Sequence, residues 1–352
     1  MKPVLLYGLD RESLENFIAG LDEKPFRARQ ILSNIYRRGV LSFAGMTELS
    51  VTLREKLAVE ASLELPALVE KQVSRDGTEK LLLELSDGER IETVLIPEEG
   101  RLTQCVSTQV GCAMGCRFCR TAGGGLVRNL EAGEIVAQII AAQKYCPELG
   151  RVTNVVFMGM GEPLHNYDAV VRAFSIITSD WGISISRRKV TVSTSGLVDA
   201  IQKLPHSMLM NLAVSLNATT DEQRSAIMPV NLRWPIAELL KTLATLELPD
   251  REHFTIEYVL LGGFNDTLED AKRLAKLLAP IKCKINLIPY NPHEGSHFKA
   301  PSQEDVRKFQ EYLLEKNFVA MVRKSRGDDI LAACGQLRAE RAECPAAPEK
   351  ES

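Results

Sequence analysis

Several things are missing from this sequence, and each absence closes off a class of function. No run of eighteen or more apolar residues occurs, so no membrane-spanning helix is expected. No sign of charge dominates, because 43 Lys and Arg stand against 46 Asp and Glu, a formal charge of −3. A chain-wide basic field for nucleic acid is thereby excluded, and any RNA surface has to be a local patch. No secretory signal is read at the start. The apolar stretch ending at Gly8 is short and meets Asp10, Arg11 and Glu12 at once. The expected location is cytoplasmic. No internal repeat is present.

Cysteine is present but unevenly placed. Three of the eight fall in one short loop, Gln109-Val-Gly-Cys112-Ala-Met-Gly-Cys116-Arg-Phe-Cys119. Clustered thiols in a cytosolic chain read as metal-binding or catalytic groups, not as a disulfide framework. A metal site built only to hold structure closes with four ligands, and three thiolates leave one position open. Soft thiolates suit zinc, copper(I) or iron–sulfur iron. In a [4Fe–4S] cluster with three cysteine ligands, the fourth iron is free to bind something other than protein. Two alternatives stay open at this point. One is a zinc site with a distant fourth ligand, and the other is a set of unrelated buried thiols.

The 352 residues allow about two domains of ~150 residues, or one large α/β unit with an appendage. Residues 1–62 read as helical, with Asp10 or Ser13 as a first cap and Phe26, Ile31, Leu32, Ile35 and Tyr36 at helical spacing. Arg27, Arg29, Arg37 and Arg38 flank that apolar face. In residues 63–98, Asp76-Gly77 and Asp87-Gly88 each sit between short β-prone runs, a hairpin signal given twice. A small antiparallel meander is expected to link the helical part to the core.

From residue 99 to 337 strands and helices alternate. Strands are expected at 105–108, 152–158, 190–193, 212–216, 254–261, 285–288 and 318–322. Helices are expected at 134–145, 235–246, 268–278 and 303–315. The alternation argues for a parallel sheet, wound or barrelled, with ligands at the C-terminal strand ends. Cys112, Gly161, Ser193 and Ser215 all fall at or just past such ends. Residues 338–352 are charged and carry Pro345 and Pro348, so a disordered tail is expected.

Five segments occur in a specific order. They are the three-cysteine loop, Cys105-Val-Ser-Thr-Gln-Val-Gly, Gly159-Met-Gly-Glu162-Pro163, Ser193-Thr-Ser-Gly196, and Arg326-Gly-Asp-Asp-Ile-Leu-Ala-Ala-Cys334-Gly335. Together they resemble the RlmN/Cfr family of the radical S-adenosylmethionine (SAM) superfamily, over about residues 25–337. The resemblance implies a partial (β/α)6 barrel holding one [4Fe–4S] cluster on Cys112, Cys116 and Cys119. It places SAM on Gly161, Glu162, Ser193, Ser215, Leu216, Asn217 and Asn291. Histidine is frequent in the family at position 217, so Asn217 is expected to contribute through its backbone.

The implied activity is methylation of RNA at C2 of adenosine, at adenosine 2503 of 23S rRNA and adenosine 37 of tRNA. Two SAM molecules are implied per turnover, one to methylate Cys334 and one to activate that methyl group. A flavodoxin- or ferredoxin-like electron donor and a monomeric state are also implied. Glu92 would remove the C2 proton, and Cys105 would resolve the RNA adduct by forming a transient disulfide with Cys334. The helical N-terminal part would contact RNA. Arg187-Arg188-Lys189 and Arg323-Lys324-Ser-Arg326 are further basic clusters suited to phosphate. Cys146, Cys283 and Cys344 match nothing and are assigned to structure.

The alternatives are C8 methylation of the same base, a radical SAM enzyme with another substrate, and a zinc-bound RNA-binding module. His293-Glu294-Gly295-Ser296-His297 matches a zinc-protease pattern. Pro292 and Gly295 argue against the helix that this chemistry needs.

Overall fold

The structure, a computed structural model, describes residues 3–209, 211–249 and 252–339. The chain begins with β1 (Val4–Leu5), α1 (Arg11–Gly20), α2 (Phe26–Leu32), α3 (Val51–Glu60) and β2 (Ala61–Ser62). Asp10 is the cap of α1, accepting the Ser13 N–H at 2.8 Å. β1 and β2 pair in parallel through Val4↔Ala61 and Leu5↔Ser62. That two-residue ladder closes the helical part on itself, and it is too short to carry a periodic signal.

The meander follows as β3 (Ala67–Val73), β4 (Glu79–Glu84), β5 (Arg90–Glu98) and β6 (Arg101–Cys105), each antiparallel to the next. Both expected hairpin glycines sit in the left-handed region, Gly77 at φ 83° and Gly88 at φ 84°. β7 (Gln109–Gly111) and β8 (Leu126–Asn129) form a separate antiparallel pair that flanks the cysteine loop.

The rest alternates: α4 (Ala132–Tyr145), β9 (Asn154–Phe157), α5 (Tyr167–Thr178), β10 (Val190–Thr194), the short α6 (Val198–Ile201) and α7 (His206–Leu209), β11 (Leu212–Ser215), α8 (Asp221–Ile227), α9 (Ile236–Thr245), β12 (Phe254–Leu260), α10 (Leu268–Leu278), β13 (Cys283–Pro289), α11 (Gln303–Glu315) and β14 (Ala320–Val322). One ten-stranded sheet runs β14-β13-β12-β11-β10-β9-β6-β5-β4-β3. From β6 to β14 every pairing is parallel and each crossover is helical, the partial barrel expected from the alternation. The meander continues this sheet beyond β6.

Several strand limits differ from expectation, β9 being shorter than 152–158 and β13 longer than 285–288, and two others differ for clear local reasons. The strand expected at 105–108 is β6, which ends at Cys105. Beyond it the chain turns across the barrel mouth, where the Ser107 N–H donates to Gln138 Oε1 at 2.9 Å. The last strand starts at Ala320, two residues late. Asn317 adopts φ 64° and the Phe318 N–H bonds the Leu313 carbonyl at 3.0 Å, so the end of α11 consumes residue 318.

The N-terminal part docks on α4 through backbone that leaves no room for a side chain. A Cβ on Gly8 would stand 2.8 Å from the Gly133 nitrogen, and one on Gly133 would stand 2.8 Å from Leu5 Cδ2. Gly8→Ala is therefore expected to cost about 1–3 kcal/mol. It should lower the chemical denaturation midpoint and speed amide exchange in the first turn of α4.

Candidate active site

The cysteine loop is held in place by its backbone. The Cys112 N–H donates to the Gly125 carbonyl (2.8 Å), Arg117 N–H to Ile227 (2.9 Å) and Arg120 N–H to Gly335 (2.7 Å). These bonds tie the loop to β8, to the end of α8 and to the segment after Cys334. Gly111, at φ 76°, permits the entry turn, because a Cβ there would fall 2.0 Å from the Gly125 oxygen. Cys112, Cys116 and Cys119 are free thiols close enough for their charges to act on one another. Burial raises Cys112 to about 12 and Cys116 well above the ordinary thiol range. Ligation requires thiolates, so loading this loop releases protons.

Zinc at ~2.3 Å from each sulfur needs them within about 4 Å of one another. Among the described residues, the three-residue donor group with all its atoms within 4.8 Å is Glu79, Cys146 and Glu148, not the loop cysteines. The loop offers three soft thiolates and no hard oxygen donor, so the donor set fits an iron–sulfur group. Glu79 and Glu148 both bond the Lys71 ammonium, at 2.9 and 2.5 Å, which occupies that smaller group. The His293–His297 segment lies in turns after β13, with Gly295 at φ 80°, so the protease-like pattern is not helical.

A cavity opens beside the loop at the C-terminal strand ends. Of the residues expected from sequence, Cys112, Cys116, Cys119, Gly161, Glu162, Ser193, Ser215, Asn217, Asn291 and Cys334 line it. Leu216, Cys105 and Glu92 lie behind its wall. Leu216 is fully buried, and its carbonyl accepts Arg224 Nε at 3.0 Å. Cys105 is buried and Cys334 is exposed at the mouth. They are close enough that Cys334, after burial itself, adds to the upward shift of the Cys105 thiol. Cys105 pairs with Val94 across β6 and β5, which sets Glu92 on the same face, two residues along.

Glu162 is 4% exposed and makes two strong local bonds. Its carboxylate accepts the Leu164 N–H at 3.0 Å and the Ser195 N–H at 2.7 Å. Burial nevertheless raises its pKa. The Asn217 backbone is left-handed at φ 57°. Its side chain holds neighbouring chain in place, accepting the Val259 N–H at 2.8 Å and donating to Met228 Sδ at 3.2 Å. Asn291 Oδ1 accepts Ser325 Oγ at 2.6 Å.

Two residues of the site escaped sequence reasoning. Glu257 lines the cavity from β12, and its Oε2 accepts Ser193 Oγ at 2.8 Å and Ser215 Oγ at 3.4 Å. Burial raises its pKa against those bonds. A lone charge inside the apolar strand Phe-Thr-Ile-Glu257-Tyr-Val-Leu was the available signal, since a buried charge needs a reason. Arg224 is completely buried and donates to the Leu216, Ser215 and Ser195 carbonyls, pinning two strand ends together. Helix α8 is polar along its length, so nothing in its sequence marks that arginine.

The basic clusters are partly engaged within the chain. Arg11 and Arg29 both stack over Trp181 at 5.1 Å, and Arg37 donates to the Asp180 carbonyl at 3.4 Å. These arginines seat the N-terminal helices on the turn after α5. Arg188 faces Glu252 at 3.6 Å, and Arg326 lies between Asp76 and Glu98 at 3.8 and 3.6 Å.

Gly161 has φ 103°, and a Cβ there would fall 2.6–2.9 Å from Gln109. Gly161→Ala is expected to push the cavity floor away from Gln109 and to weaken SAM binding at least ~10-fold by equilibrium dialysis. Iron content should stay unchanged.

Known proteins match this arrangement over nearly the whole chain. The ribosomal RNA large subunit methyltransferase N-terminal domain matches residues 4–63, and the radical SAM superfamily matches residues 106–278. The dual-specificity RNA methyltransferase RlmN of Geobacter sulfurreducens is 52% identical, covering 94% of this chain and 91% of that protein. The enzyme of the same name from Anaeromyxobacter dehalogenans is 50% identical, covering 95% and 92%. A radical SAM methyltransferase structure from Sphaerobacter thermophilus superposes with a TM-score of 0.89 at 44% identity, covering 96% of this chain and all of that one. With the fold, the cysteine loop and this similarity together, the chain belongs to the RlmN family of the radical SAM superfamily.

Proposed function

We propose that this enzyme methylates C2 of adenosine in 23S rRNA and tRNA, as expected from its relatives, which are dual-specificity RNA methyltransferases. The observation that carries the reading is the seating of Cys334 on the same cavity as the three loop cysteines, with Cys105 beside it. A plain radical SAM fold has no use for that second pair of thiols.

The cofactors are a [4Fe–4S] cluster, held by Cys112, Cys116 and Cys119, and SAM, held along Gly161, Glu162, Ser193, Ser215, Asn217 and Asn291. When bound, they supply a methyl group and the radical chemistry that a non-nucleophilic carbon such as adenine C2 demands. The chain's own residues do the rest. Cys334, exposed at the mouth, carries the methyl group as S-methylcysteine. That group gives up one hydrogen atom to the radical chemistry that bound SAM would supply, and its carbon bonds C2 of the base. The electron left once the C2 proton is removed returns to the redox centre that the loop cysteines would hold. Glu92 takes the C2 proton. Cys105 attacks the Cys334 sulfur, and an S–S bond forms as the S–C bond breaks. The electron pair of the broken bond passes to the product carbon, which takes up a proton to become the methyl group. An external thiol or dithiol reductant resets the disulfide. The target base has to be unpaired or drawn from its stack to reach the cavity.

In this reading residues 1–62 form an RNA-binding accessory part, 63–98 a linker and 99–337 the catalytic core. The enzyme works as a cytoplasmic monomer supplied by a flavodoxin- or ferredoxin-like donor. No helix among the described residues is long and apolar enough to cross a membrane. Of the expected tail, residues 340–352, with Cys344, lie outside the described residues, whereas Arg338 is held against Glu92 through its N–H.

Protein reconstituted anaerobically should hold about four irons per chain and little zinc, and Cys119→Ala should lose that iron. Incubated with SAM, reductant and unmodified RNA, the enzyme is expected to yield 2-methyladenosine by nucleoside mass spectrometry. A product at 8-methyladenosine would move the reaction to C8. Cys105→Ala should retain the RNA as a covalent adduct on denaturing gels. Free methylated RNA at the wild-type rate from that variant would remove Cys105 from the mechanism.

A further inference from the structure

Glu92 does not stand alone behind the cavity. Lys80, on β4, lies diagonally across from it. Leu82 pairs with Glu92 and Lys80 with Val94, so Lys80, Val94, Glu92 and Cys105 share one face of the meander. The Lys80 ammonium is 3.1 Å from Glu92 Oε1, and both residues are buried, at 7% and 6% exposure. The other oxygen, Oε2, accepts the Arg338 N–H at 2.7 Å. Cys105 shares the face as a titratable thiol, and two further contacts use the Glu92 backbone. Met160 Sδ takes its N–H at 3.4 Å, and its carbonyl accepts Ser107 Oγ at 2.6 Å.

We propose that Lys80 is the positioning residue of the proton-accepting step, fixing Glu92 in place and keeping its carboxylate ionised. This rests on the reading of Glu92 as the acceptor of the C2 proton. A carboxylate buried without a cation takes up a proton and ceases to be a base. Lysine on the neighbouring strand prevents that and also fixes Oε1, which leaves Oε2 as the oxygen that can turn to a new proton. Oε2 is held by an N–H only four residues beyond Cys334. Buried ion pairs tolerate loss of one partner badly.

The test follows breakdown of the RNA–protein adduct in single turnovers of the fully loaded enzyme, as a function of pH. The base must be ionised to accept a proton, so the rate falls on the acid side. Removing the cation disfavours the charged form of a buried carboxylate. In Lys80→Met the acid limb should move to higher pH by about one unit or more, with adduct persisting ~10-fold longer near neutrality. Lys80→Gln, which still donates a hydrogen bond, should move it in the same direction and guards against a folding failure in the methionine variant. Lys80→Arg keeps the charge and should hold the wild-type limb. In a Glu92→Gln background Lys80→Met should add no further delay.

Profiles for Lys80→Met and Lys80→Gln that overlay the wild type overturn the proposal. So does an arginine variant displaced as far as methionine, or an additive delay in the double variant. If instead Glu92→Gln clears its adduct at the wild-type rate, the role of Glu92 itself fails, which is a different result from adduct trapping in Glu92→Gln with an unmoved Lys80 profile.

Discussion

The 2.7 Å hydrogen bond from the Arg120 N–H to the Gly335 carbonyl joins the two halves of the chemistry. On one side is the loop that presents three thiols, and on the other is the segment that presents Cys334. Thr121 Oγ1 reinforces it at the Leu337 carbonyl, at 2.6 Å, and one residue later Arg338 N–H reaches Glu92. The cysteine loop, the segment after Cys334 and Glu92 are thus linked by three hydrogen bonds at residues 335, 337 and 338. The energy of each bond is modest, about 1 kcal/mol net. Their value is geometric, since a reaction passed between thiols and a base tolerates little misplacement.

Two buried carboxylates line the cavity and a third lies behind its wall, and each is satisfied in a different way. Glu162 is satisfied by backbone N–H groups, Glu257 by two serine hydroxyls, and Glu92 by an ammonium and an amide. Burial disfavours the charged form in Glu162 and Glu257, and the hydrogen bonds oppose it. Arg224 complements them from beneath. A guanidinium with no exposed surface spends its donors on carbonyls of β10 and β11, and so locks the strand ends that bear Ser193 and Ser215. The polar floor is built as a connected network, which suits a site that must hold its shape while large RNA comes and goes.

The long elements could be read directly from the sequence. Helices α10 and α11 run over 268–278 and 303–315 as the periodicity indicates, because each has a clear apolar face and a Thr267 or Ser302 cap. Asp-Gly pairs place both hairpins for a stereochemical reason, the positive φ that glycine supplies. The cysteine loop declares its chemistry because ligand identity and spacing are local properties. What stayed hidden was short or non-local. The β1–β2 ladder joins residues more than fifty positions apart with two residues a side. The arginines of the first helices, read as a phosphate face, turn out in part to be docking groups around Trp181.

The sequence by itself therefore determined the alternating α/β order and the open three-thiol ligand set. Each of these is written in residue types and spacings along one stretch of chain. Only the tertiary structure decided which of those residues meet. It brought Cys334 to the cavity 215 positions after Cys119, set Glu257 between two serines, and paired Lys80 with Glu92. Such contacts depend on strand register and on which face of the sheet each side chain takes. A one-residue slip in β4 or β5 would turn Lys80 and Glu92 to opposite faces. Pattern along the chain names the reacting groups, and the register of the folded sheet assembles them.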